Sequence, residues 1–138
     1  MTPLELEQTY RFSGATLTNY SVSDGGEMRF EAELITANQV ASHLRAKEDD
    51  FIPVVVEVEQ FDLLSRSLPF QGFSKDQDGE ISQFGVRKIG DDQQPIADPD
   101  PSICELSFFL NDFSQPDAGS VDFIVLSFKA KSITVTVA

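Results

Sequence analysis

Apolar side chains recur at every second position over most of this chain, and that period constrains the fold more than any other feature. A strand turns successive side chains to opposite faces, so strict alternation implies one buried face and one wet face. Met28, Phe30, Ala32 and Leu34 alternate with Arg29, Glu31 and Glu33. Ile52, Val54, Val56 and Val58 repeat the device, with Glu57 and Glu59 on the opposite row. Cys104, Leu106, Phe108 and Leu110 make a third apolar row, and Ile133, Val135 and Val137 alternate with Ser132, Thr134 and Thr136. Between Val121 and Lys129 both rows are largely apolar, which fits a strand covered on both faces.

Turn chemistry separates these runs. Ser23-Asp-Gly-Gly26 divides Thr9 to Val22 from the strand at Met28 and reads as a hairpin. Asp78-Gly79 reads the same way between Phe70–Ser74 and Ile81–Ile89, and Pro116-Asp-Ala-Gly119 between the strands at Cys104 and Val121. The expected fold is therefore mainly β, an antiparallel sandwich or barrel of about seven to nine strands. One short helix interrupts it. Thr36-Ala-Asn-Gln39 matches a capping box, and Val40 and Leu44 share a helical face, so a helix is predicted over about Ala37 to Lys47. If that helix packs on one face of a sheet, the arrangement is α+β. The segment Asp62 to Ser67 carries a weak signal for a second helical turn.

At 138 residues the chain is sized for one domain with a real core, and no internal repeat divides it. The single domain, 1–138, includes one long irregular stretch at 90–101 with three prolines and four aspartates, which cannot enter a sheet interior. It reads as a mobile acidic surface loop.

The charge narrows function. There are 23 acidic and 10 basic side chains, a net charge of −13. That excludes a free-standing binder of nucleic-acid backbone, which needs a basic patch. Residues 76–122 hold 11 acids against 2 bases, whereas residues 123–138 carry only Lys129 and Lys131. A concentrated acidic surface of this kind can steer a basic protein partner. The first residues have no signal-peptide pattern, and the apolar runs at 106–110 and 123–128 fall far short of the roughly 20 residues that cross a bilayer. With one cysteine, Cys104, read as a small buried hydrophobe, the chain is assigned to a reducing cytoplasm and to no membrane.

Catalytic and metal motifs are not found. His43 is the sole histidine, no Gly-x-Ser-x-Gly elbow is present, and no phosphate-binding glycine loop exists. Ser74 to Gly79 brushes against a calcium-loop pattern, but Ser74 stands where a carboxylate is needed and Gly85 where a bidentate glutamate is needed. No cofactor or metal is expected. Glu31 with Glu33, and Glu57 with Glu59, lie two apart on their strands, so each pair shares a face at roughly 6.5–7 Å. Were the two strands neighbours, four carboxylates would tile one exposed patch. A glycosidase would use such spacing, but it needs aromatic platforms, and the chain has no Trp. The expected role is that of a non-enzymatic acidic binding protein, an inhibitor or adaptor, whose partner-binding residues are Asp91, Asp92, Asp98, Asp100, Glu31, Glu33, Glu57 and Glu59. The alternative is a self-assembling structural subunit, a homo-oligomer of tail, sheath or coat type. It would associate by strand addition through Ser132–Ala138 or the apolar-rich segment Phe61–Phe73.

Overall fold

A computed structural model describes residues 1–114 and 122–138. Eight antiparallel strands are found among them: β1 (Thr16–Val22), β2 (Met28–Ile35), β3 (Phe51–Glu59), β4 (Asp62–Arg66), β5 (Gln77–Val86), β6 (Cys104–Asp112), β7 (Asp122–Lys129) and β8 (Ser132–Val137). They form a single sheet in the order β4-β7-β6-β5-β1-β2-β3-β8. A short helix α1 (Pro3–Thr9) precedes β1, and α2 (Ser42–Arg45) lies between β2 and β3. The mainly β architecture read from the alternation is therefore present, and its strand number falls inside the expected range.

The chain joins the two outer strand pairs of that order. β3 passes into β4 through Gln60 and Phe61, and β7 passes into β8 through Ala130 and Lys131. Because β3 pairs with β8 and β4 with β7, these connections lie side by side in one long two-stranded ribbon. The ribbon turns a corner where Gln60 adopts a positive φ of 52°, as strands do when they switch between sheet halves. On the other side β1 pairs with β5 over a short ladder, Thr16–Leu17 against Gly79–Glu80, continued by the bonds of Ile81 to Gly14 and Ala15. Two four-stranded halves thus enclose one core. Phe30 of β2 meets Phe84 of β5 edge-on at 5.2 Å, and Phe12 packs against both.

The inward rows are those the sequence marks. Met28, Phe30, Ala32 and Leu34, then Ile52, Val54, Val56 and Val58, then Cys104, Leu106 and Phe108 are all buried. β7 is covered on both faces, with Ile124, Val125, Leu126, Ser127 and Phe128 buried. The Ser23–Gly26 turn closes a hairpin through Ser23 N–H to the Glu27 carbonyl at 2.8 Å. In the segment 61–73 the phenylalanines reach the core, Phe61 packing on Phe128 at 4.9 Å and Phe70 on Phe108 at 5.0 Å, while Leu63, Leu64 and Leu68 stay exposed.

Four local expectations are corrected. The helix over Ala37–Lys47 does not form; a 3-10 turn at Thr36–Asn38 and the four-residue α2 replace it. The Thr36 hydroxyl donates to the Asp49 carbonyl instead of capping, and the buried Gln39 is drawn away to the backbone of Arg11 and Ile35. Val40 is left 51% exposed. Asp78-Gly79 is no turn: both residues lie inside β5, and no strand forms at 70–74. A Cβ at Gly79 would come within 2.9 Å of the Phe108 ring, so glycine stands here for close packing. The stretch 62–67 is not helical; it holds the strand β4, because the edge of β7 offers its backbone a ladder. Finally, the strand placed from Thr9 begins only at Thr16: α1 ends at Thr9, and residues 10–15 form the connection, in which Gly14 takes a positive φ of 84°. That helix carries a true capping box, Thr2 with Glu5, and Pro3 at its first turn. The expected hairpin at Pro116–Gly119 lies outside the described residues.

Candidate functional site

β2 and β3 are neighbours along their whole length, with Arg29 opposite Glu57, Glu31 opposite Val55 and Glu33 opposite Pro53. The wet rows of both strands therefore form one surface, and Glu31, Glu33, Glu57 and Glu59 stand on it together. β8 extends the same surface, placing Thr134 beside Glu57 and Ser132 beside Glu59. Two of the four carboxylates are partly neutralised: Arg29 pairs with Glu31 at 3.4 Å and Lys131 with Glu59 at 3.5 Å. Asn19 also donates to Glu31, and Ser132 to Glu59 at 3.0 Å. Glu33 and Glu57 have no side-chain partner among the described residues. A hollow of ≈ 140 Å³ opens between Glu27, Glu57, Glu59, Ser132 and Thr134. Its carboxylates are not gathered for a metal, because no group of three or more metal-ligating side chains exists among the described residues.

The four loop aspartates are elsewhere, beyond the end of β5, and do not join the sheet carboxylates. Three of them serve local structure. Asp91 pairs with Arg87 at 3.5 Å, and Asp92 accepts from the Gln94 N–H at 3.0 Å. Asp100 accepts from the Ser102 N–H at 2.9 Å and its hydroxyl at 2.7 Å, and these bonds hold its carboxyl below the usual carboxylate range. Asp98 is exposed and carries no side-chain partner among the described residues.

What fastens that loop is a residue the alternation alone could not single out. Glu105 points away from the core, between inward Cys104 and Leu106, yet it is only 1% exposed. Its Oε1 accepts from the Lys88 and Ile89 N–H groups at 2.9 and 3.1 Å, and its Oε2 from the Ser107 hydroxyl at 2.7 Å. The segment after β5 is thereby held over the outer face of β6. Beside Glu105 in the ladder lies Ser127, whose buried hydroxyl has no partner among the described residues. A second carboxylate works at the margin of this cover. Glu7 of α1 accepts from the Val86 N–H at 3.2 Å and from Lys88 Nζ at 2.8 Å. Gly85 admits it, since a Cβ there would lie 2.5 Å from Glu7 Oε2. A hollow of ≈ 400 Å³ beside Glu7 is lined by Tyr10, Arg11, Ser13, Gln83 and Lys88.

Cys104 is buried, and burial pushes its thiol far above its ordinary value, so it has no thiolate character. His43 sits exposed on α2. No helix among the described residues is long and apolar enough to cross a membrane. The fold and surface define a mainly β protein with an acidic outer sheet face. Comparison with protein-family models, with curated proteins and with solved structures finds no match in any of the three.

Proposed function

We propose that this is a non-enzymatic binding protein that recognises a basic protein surface through the outer face of β2 and β3. The observation that supports it is the β2–β3 register, which gathers four carboxylates on one exposed face and leaves Glu33 and Glu57 unneutralised. An acidic face of this kind raises association rates and selects partners by charge more than it adds affinity. The lone buried Cys104 suits a reducing cytoplasm. The test is capture of a partner from the native host at low and at high salt, with three proteins compared. Wild type is expected to retain a partner that high salt releases, and Glu33→Lys with Glu57→Lys to lose it. Reversing Asp91 and Asp98 is expected to slow association without abolishing it. Equal capture by all three, or insensitivity to salt, refutes the reading.

A second reading is self-assembly by strand addition. In its favour, the two segments rich in apolar residues supply the two edge strands of the sheet, β4 and β8. Light scattering at high protein concentration decides it: a concentration-dependent oligomer supports this reading, and a clean monomer removes it.

A further inference from the structure

We infer that the open edge of β8 receives an extended segment of the basic partner, one in which basic and apolar residues alternate. This rests on the acidic-surface reading and specifies what the partner presents to it.

The edge carries the argument. Among the described residues β8 pairs with one strand only, β3. Its even-numbered residues face that neighbour, as the Ala138 N–H bond to the Pro53 carbonyl at 2.9 Å shows. Its odd-numbered residues turn their N–H and C=O groups outward. At Ile133 that outward pair is already taken. The Met1 nitrogen donates to the Ile133 carbonyl at 2.6 Å, and the Ile133 N–H donates to the Met1 carbonyl at 3.1 Å. This is the reciprocal pair that an antiparallel ladder makes. The equivalent groups of Val135 and Val137 have no partner among the described residues. They form a short template for one more strand, with Met1 marking where it stops.

The two faces of β8 select the occupant. On the core side Val135 is half-buried and Val137 is 37% exposed, so an added strand gains by placing apolar side chains opposite them. On the outer side stand Thr134 and Thr136, short side chains in register with Glu57 and Val55. A strand added to β8 lies about 10 Å from β3, two strand spacings. Lysine or arginine side chains on its outer face can cross the threonines and reach Glu57 and the hollow lined by Glu27 and Glu59. Alternation of basic and apolar residues satisfies both faces at once. A second copy of this chain satisfies neither as well, since it brings its own carboxylates and a net charge of −13.

The experiment uses the whole chain and a nine-residue peptide alternating lysine and valine, followed by fluorescence anisotropy at low salt. Five comparisons are made. A peptide of the same composition with its lysines and valines in blocks is expected to bind at least tenfold more weakly. The alternating peptide N-methylated at every second amide, on the edge-facing side, is expected to lose binding. Val135→Pro, which deletes an outward N–H without touching the β3 ladder, should weaken binding at least tenfold; the methylated peptide decides if that variant folds poorly. Glu57→Lys with Glu59→Lys should weaken it comparably. If the blocked and methylated peptides bind as well, the strand proposal falls while the acidic-surface reading stands. If an alternating glutamate–valine peptide binds as tightly as the lysine one, the edge is used without charge and the acidic reading falls. A dimer of the protein alone that Val135→Pro dissolves would assign the edge to a second copy and overturn the proposal.

Discussion

Replacing Glu105 by alanine would remove the acceptor that ties the segment after β5 to the sheet. In the folded protein Glu105 Oε1 is the acceptor for two backbone donors, Lys88 N–H at 2.9 Å and Ile89 N–H at 3.1 Å, and Oε2 serves the buried Ser107 hydroxyl at 2.7 Å. Stranding a buried donor costs about 1–3 kcal/mol, and because these two backbone donors are only partly buried the expected loss lies toward the low end, about 2–3 kcal/mol in all. Against a typical total stability of about 5–15 kcal/mol this is a large fraction. Glu105→Gln separates acceptor from charge. Its amide oxygen still meets both N–H groups and its amide nitrogen can donate to Ser107, so the loss should stay below about 1.5 kcal/mol. Relief from burying a charge acts in the same favourable direction. Because the chain has no Trp, urea unfolding is followed by far-UV circular dichroism. Hydrogen exchange at the Lys88 and Ile89 amides reports the loop itself. Both amides should lose protection in Glu105→Ala and keep it in Glu105→Gln. An alanine variant within 1 kcal/mol of wild type, with those amides still protected, would refute the reasoning, as would glutamine and alanine falling together.

Two further outcomes are expected. Gly79→Ala should destabilise by about 1–3 kcal/mol, because the new methyl lies 2.9 Å from Phe108 and 3.2 Å from Phe73; an unchanged unfolding midpoint would return Gly79 to an open turn. Burial raises the Tyr20 phenol from 10.0 to about 12. The folded protein then keeps a proton that the unfolded chain releases, so this contribution is complete below pH 10 and is lost as pH climbs to about 12, at about 1.4 kcal/mol per unit. Tyr20→Phe should flatten that part of the alkaline stability profile; an identical slope in the variant shows that Tyr20 is not its source.

The carboxylate patch illustrates how far the sequence reaches. Glu31, Glu33, Glu57 and Glu59 were legible as outward residues because alternation is local: each side chain's face follows from its neighbours two residues away. Their meeting on one surface depended on β2 pairing with β3, which only the register established. The capping box at Thr2 and Glu5 was present in the sequence as a signal, Thr-x-x-Glu with Pro at the first helical position, and α1 grows from it. The look-alike at Thr36 and Gln39 failed because tertiary partners, Asp49 and Arg11, competed for both side chains.

By itself, the sequence determined that this chain is mainly β, which rows of side chains face the core, and where its negative charge is concentrated. These follow from a period of two and from composition, both readable over a few residues at a time. The tertiary structure decided which strands are neighbours, that β4 and β8 are the edges, and that Glu105, identical in pattern to Glu31, is buried beneath a loop. Strand order and cover are made by contacts between residues far apart in the chain, and two glutamates with the same local surroundings differ only in what the rest of the fold lays over them.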